Sequence, residues 1–179
     1  MKQTSLVELA AMEGESDLIH AVVETPKGSR NKYKYDEKLG MFALHKALPL
    51  GASFPYDFGF IPSTRGEDGD PLDILVLMDE PAFPGYVVPA RLIGVIEANQ
   101  TAEGKTERND RLIALLETPY NRPECHSLEE LPDSRLAELE HFFISHNHME
   151  GREFKPIGRR GPRQAMEHVQ KGMRRFRNE

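Results

Sequence analysis

The sequence predicts an α+β protein that is mainly β: a small closed barrel with flanking C-terminal helices. Three observations predict it. Short runs rich in β-branched and aromatic residues, separated by turn residues, fill the first two thirds of the chain. The last third changes to a helical period. The 179 residues fall within the usual size of one domain, and no repeat, low-complexity tract or linker divides them, so residues 1–179 are expected to form a single domain.

In chain order, the strand candidates are LIHAVVET (18–25), NKYKYD (31–36), MFALHK (41–46), DILVLM (73–78), YVVPARLIGVIEA (86–98) and RLIALLE (111–117). Between them lie PKGS, KLG, DGDP, FPG and EGKTERND, made of residues that turn a backbone. Asp133 then stands where it can cap a helix carrying Leu136, Leu139 and Phe143, with Gly151 near its end. A second helix starts near Pro162 and repeats Met166, Val169, Met173 and Phe176 at helical spacing. Arg174, Arg175 and Arg177 suit the negative end of its dipole, a commoner role than a nucleic-acid patch.

A formal net charge of −6, from 23 Lys+Arg against 29 Asp+Glu, argues against a general nucleic-acid binder. The lone cysteine, Cys125, permits no internal disulfide, which fits a reducing compartment. The stretch MKQTSLVELAAMEGESDL has no apolar run behind a basic start, so no leader or membrane span is visible and a cytoplasmic protein is expected.

The stretch EDGDPLDILVL crowds Asp68, Asp70 and Asp73 into six positions ahead of an apolar run. Like carboxylates repel unless each reaches water or a cation sits among them. Turn chemistry is the commoner explanation of Asp-Gly-Asp-Pro taken alone. A calcium loop fails, because Asp73 occupies the place that needs glycine and a strand follows where a helix should. A magnesium site remains, because hard cations want carboxylate oxygens. Glu24, Lys32 and Lys46 lie on three successive strand candidates, so a sheet can gather acids and amines at one mouth; that is the equipment of phosphoryl chemistry, or of plain salt bridges.

These residues also resemble the soluble family I inorganic pyrophosphatases. DGDPLDILV is similar to that family's D-x-D-P-x-D signature. KYKYDEKLGMFALHK resembles its lysine-bearing strand and hairpin, FPYDFGFIPST its Y-P-x-x-Y-G-Y-I segment, and PGYVVPARLIGVIE its P-G-x-V-x-x-R-x-I-G-V stretch. The resemblance covers Val22 to Glu117 and continues less clearly through HFFISHN. It implies a five-stranded, OB-like barrel that hydrolyses pyrophosphate to two phosphates with two or more Mg²⁺ ions. It implies a homo-oligomer too, with a hexamer favoured. Position by position, Asp68, Asp70 and Asp73 match the metal carboxylates, Asp70 also being the candidate base. Glu24 matches an active-site glutamate, and Lys32 a phosphate-binding lysine.

Other positions depart from the family. Lys34 stands in place of glutamate, and Lys46 in place of arginine, so a bidentate phosphate fork becomes a point charge. Phe54 and Phe58 replace tyrosines and lose two hydroxyls. In the later acidic loop Arg111 takes the place of a lysine, Asn109 falls where an aspartate is expected, and Asp110, a candidate metal ligand, is one residue out of step. His146 and Asn147 replace a tyrosine and a lysine. The departures leave two alternatives beside pyrophosphate hydrolysis: a weakened homologue that binds phosphate ligands or protein, or a hydrolase of an organic diphosphate. His141, His146 and His148 lack zinc spacing and read as helix-surface histidines, and Cys125 beside His126 reads as a plain thiol.

Overall fold

Alternation of side chains along the strands decides how the sheet closes. The computed structural model describes residues 5–178. Met1 to Thr4, the head of the segment read for a leader, and Glu179 lie outside the described residues. The elements are β1 (Ile19–Thr25), β2 (Asn31–Asp36), β3 (Met41–Ala47), β4 (Asp57–Ile61), β5 (Leu72–Leu77), β6 (Val87–Ala102), β7 (Lys105–Arg108), β8 (Arg111–Leu116), α1 (Asp133–His148), β9 (Glu153–Arg160) and α2 (Pro162–Arg177).

Five strands form a closed ring. β4 pairs antiparallel with β1 and β5, β5 runs parallel to β8, and β6 pairs antiparallel with both β8 and β1. Along β5, Ile74 and Val76 join one apolar cluster with Leu112, Ala114 and Val169, while Leu75 and Leu77 join another with Ile113, Phe54, Leu136 and Phe143. Period-two alternation therefore gives α2 and α1 opposite faces of the same strands. Gly59 permits the closest approach in the ring, since a Cβ there would stand 1.9 Å from the Val22 carbonyl oxygen.

Three strands lie beyond the expected set. β4 sits within FPYDFGFIPST, a stretch matched by family resemblance but not read as a strand. β7 falls in the expected turn EGKTERND. Glu103 (φ 51°) and Gly104 (φ 79°) make a two-residue turn between paired Ala102 and Lys105, so β6 runs on and folds back as a hairpin. β9 is charged and contains Pro156, yet it pairs along the far half of β6. Its register slips between Glu97 and Ala98, opposite Gly158 and Pro156, and such a bulge admits proline.

Helix α2 starts with Pro162 in its first turn, as expected, and Arg175 near its end pairs with Glu67 at 3.0 Å. Helix α1 corrects the cap expectation. Asp133 is its first residue, Pro132 holds the cap position, and the Asp133 carboxylate accepts instead from Arg159 of β9 at 3.1 Å. The same guanidinium grips Glu140 at 2.7 and 3.0 Å, which fastens β9 to α1.

The β2–β3 hairpin forms a separate two-stranded sheet. It is held to β1 by Glu24, which accepts from the Tyr35 N–H at 2.8 Å. Thr25 Oγ1 adds a second tie, accepting from the Tyr33 N–H at 3.0 Å. No helix among the described residues is long and apolar enough to cross a membrane.

Candidate active site

The acidic turn first satisfies itself. Gly69 takes φ 84°, Gly66 N–H donates to the Asp70 carbonyl at 2.7 Å, and Asp68 Oδ1 accepts from Asp70 N–H at 3.1 Å. The turn reading of the motif thus holds, but it leaves most of the carboxylate capacity unused. Asp70 meets Lys34 at 3.4 Å and Asp73 meets Arg111 at 2.6 Å. Among the described residues Asp68 makes no ion pair, and burial, aided by the Asp73 and Asp70 charges, pushes its carboxyl up to about 6. A carboxylate held in that state welcomes a cation.

A cavity of about 270 Å³ joins this acidic turn to a basic wall; Lys32, Lys34 and Arg111 line it together with Asp68, Asp70 and Asp73. Lys32 and Lys46 face each other across the hairpin, and Lys46 reaches that position because the register slips where His45 is inserted. Both lysines and Arg152 ion-pair with Glu150, Lys32 at 4.0 Å and Arg152 at 3.5 Å. His146 is 4% exposed, which corrects its reading as a surface histidine. Its ring stacks on Phe142, and its Nε2 lies 3.4 Å from Lys32 Nζ. Burial, with Lys32 and the neighbouring cations, pushes its imidazole down to about 3, so it is neutral.

Glu24 is turned by a bulge into an adjoining hollow that shares Lys34, Asp70 and Asp73 with the cavity. Val23 pairs with Gly59 and Thr25 with Phe58, so Glu24 is the extra residue whose side chain is re-aimed. It borders Asp70, Asp73 and Lys34, and burial pushes its carboxyl up to about 7 against the pull of the Tyr35 N–H. On the opposite wall two amides face each other, Asn109 Nδ2 donating to Gln100 Oε1 at 3.0 Å. Asn109 Oδ1 accepts from Arg111.

Asp110 is the sequence candidate that the fold withholds from this cavity. It accepts from Ala98 N–H at 2.9 Å and from Arg108 at 2.9 and 3.1 Å, and its other oxygen lies 3.0 Å from His168 Nδ1. The one-residue offset turns it toward α2, where it borders a second hollow of about 230 Å³ that Asp68, Asp73 and His168 also line. Glu150, Arg152, Gln100 and His168 were missed. Glu150 and Arg152 come from the turn after α1, Gln100 from the overhang of β6 and His168 from the body of α2, and no local pattern marks them.

Among the described residues no three acidic, histidine or cysteine groups converge tightly enough to cage a cation. The donor set of the acidic turn, Asp68, Asp70 and Asp73, is all carboxylate oxygen, which fits a hard divalent cation.

Comparison with known proteins agrees with the geometry. Residues 21–177 match the sequence model of the family described as Inorganic pyrophosphatase. The inorganic pyrophosphatase of Thermus thermophilus is 34% identical over 176 residues, covering 97% of this chain and 98% of its own. That of Synechocystis sp. is 36% identical over 144 residues, covering 80% and 83%. Among solved structures, the Thermus thermophilus enzyme superposes with a TM-score of 0.87 at 33% identity, covering 97% and 99%. The Helicobacter pylori enzyme gives 0.84 at 28%, covering 95% and 99%.

The raised carboxyl of Glu24 has a consequence for stability. Between the ordinary value of 4.5 and about 7 the folded chain holds a proton that the unfolded chain has lost, so this group's contribution falls as pH rises through that window. Glu24→Gln keeps the acceptor for Tyr35 and removes the titration. Urea unfolding is expected to find the variant more stable than wild type at pH 8 by up to about 3 kcal/mol, with the gap closing by pH 5. A gap independent of pH would contradict the assignment.

Proposed function

This chain belongs to the inorganic pyrophosphatase family, and we infer from its two-sided cavity that it hydrolyses pyrophosphate to two phosphates, with Mg²⁺ as the metal. The observation that carries this reading is the meeting of the three signature aspartates with Lys32, Lys34 and Arg111 around one cavity. Pyrophosphate is a compact polyanion, and a site for it needs cations for its oxygens and a base for water.

Asp68, Asp70 and Asp73 would hold two or more Mg²⁺ ions. When bound, these supply a water of lowered pKa and neutralise charge on the phosphoryl oxygens. Lys32, Lys46 and Arg111 bind the phosphoryl groups as fixed positive charges. Asp70 takes the proton of the attacking water, since its side chain is open to solvent, at 66% exposure, and Lys34 steadies the carboxylate. Glu24, protonated over much of the physiological range, holds a proton beside Asp73 and the departing phosphate without adding charge to the acidic side.

The aromatic departures favour this reading over an organic diphosphate. Phe54 and Phe58 are 1% and 4% exposed and pack against Phe142 and Phe143, so they offer little surface to an organic group. Lys34 and the Asn109–Gln100 amides thin the carboxylate set, which supports weaker metal binding than a fully acidic site would have.

We also read the chain as one domain, since both apolar clusters share the strands of one ring. It assembles as a homo-oligomer, a hexamer being favoured. The apolar stripe of α1 is spent inside the fold. Exposed Ile144, Met149 and Ile157, and Leu39, Met41 and Leu44 on the hairpin, support assembly instead.

Asp70→Asn is expected to fold, because its side chain is largely in water, and to lose pyrophosphate turnover by about a hundredfold or more. Turnover near wild type in the folded variant would overturn the role of Asp70. Light scattering of the wild type is expected to give a mass above that of a dimer. A monomer mass across a wide concentration range would contradict the assembly.

A further inference from the structure

The basic wall of the cavity already contains an anion. Lys32 and Lys46 oppose each other across the β2–β3 hairpin, an arrangement that destabilises a sheet when both are charged. The Glu150 carboxylate lies among them. It ion-pairs with Lys46, stands 4.0 Å from Lys32 and 3.5 Å from Arg152 Nη1, and lies 3.3 Å from His146 Nε2. Burial together with these cations keeps that imidazole neutral. Three cationic side chains from β2, β3 and the α1–β9 turn thus converge on one carboxylate; Lys32, Arg152 and Glu150 line the cavity that the acidic turn completes, and Lys46 joins them through Glu150.

The support of Glu150 is light. It lies in the short turn after α1, where its backbone N–H donates to the Asn147 carbonyl at 2.9 Å. Gly151 beside it takes φ 71°, and nothing lies within 4 Å of where its Cβ would be. A carboxylate on such a turn can leave its cations without unfolding a strand or helix.

We propose that Glu150 is a resident anion of the phosphate-binding wall: its carboxylate holds the place of a phosphoryl group in the free protein and is displaced when that group binds. This rests on the reading of Lys32 and Lys46 as phosphate ligands. Two anions cannot share the same three cations without strong repulsion, so the internal carboxylate competes with the ligand. The free protein then keeps its lysines partly neutralised and ordered. Affinity for phosphate is lowered by the fraction of time the carboxylate is in place, and if that is about nine tenths the reduction is about tenfold. The same competition speeds release of product phosphate. A fixed brace makes the opposite demand, because removing it lets Lys32 and Lys46 repel and weakens the ligand.

The test is a calorimetric titration of inorganic phosphate, without metal, into wild type and Glu150→Gln, both first shown to melt cooperatively. Phosphate is expected to bind the variant about tenfold tighter, and in turnover the variant is expected to show a lower KM for pyrophosphate and stronger inhibition by phosphate. Equal or weaker phosphate binding by the folded variant overturns the proposal. If Glu150→Gln does not fold, Glu150→Asp, one methylene shorter, decides the matter: binding several-fold tighter supports the displaced anion, and unchanged or weaker binding overturns it. The titration needs no turnover. Tighter phosphate binding in a protein that fails to cleave pyrophosphate removes only the hydrolase reading, whereas cleavage with no gain in phosphate affinity removes only the resident anion.

Discussion

The ion pair between Asp73 and Arg111 organises everything around it. Asp73 stands near the start of β5 and Arg111 opens β8, the two strands whose pairing is the parallel step in an otherwise antiparallel ring. The guanidinium is nearly inaccessible, at 4%. It lies over the rings of Phe143 from α1 and Phe154 from β9, 4.9 and 5.1 Å from their centroids, and donates to the carbonyls of Asn109 and Asp110 at 3.2 Å. One side chain therefore fixes the floor of the cavity, the end of the β7–β8 turn and the packing of α1 on β9. Losing Asp73 would leave a buried guanidinium without its counter-charge, which is strongly destabilising.

That pair also sets the division of charge in the cavity. With Asp73 answered by Arg111 and Asp70 by Lys34, Asp68 is the carboxylate that has no cation among the described residues. The free protein keeps its acidic side nearly balanced, and Glu150 offsets part of the charge of its basic side. Several replacements relative to the family pattern move in one direction: a lysine for a glutamate at Lys34, an amide for a carboxylate at Asn109, phenyl rings for phenols at Phe54 and Phe58. They reduce the negative charge and hydroxyl density of the site while leaving the three signature aspartates, Glu24 and Lys32 in place.

Four of the five ring strands, all but β4, were legible because their signal is local. Val22, Ile74, Leu75 and Ile113 lie in short apolar runs bounded by turns, and such runs become strands wherever a partner exists. The signature aspartates were legible for the same reason, since the spacing that invites a cation is contained in six residues. β9 was not, because its pairing comes from the overhanging half of β6 and its own residues, with Pro156 and Gly158 among them, argue against a strand. The burial of His146 depends on Phe54 and Phe142 arriving from two elements. Asp110 looked equivalent to a displaced aspartate until the fold showed that one position along the β7–β8 turn exchanges the cavity for Arg108 and His168. Glu150 carries no motif, and its meaning comes entirely from three cations distant in sequence or across a turn.

The central claim is that carboxylates and lysines of one cavity hydrolyse pyrophosphate with the help of a divalent metal. The most direct measurement is phosphate release from pyrophosphate by the wild-type protein with millimolar Mg²⁺, after chelation, and after Mg²⁺ is restored. The account predicts release that is lost on chelation and recovered with Mg²⁺; no release under any of the three conditions, or release indifferent to chelation, would contradict it.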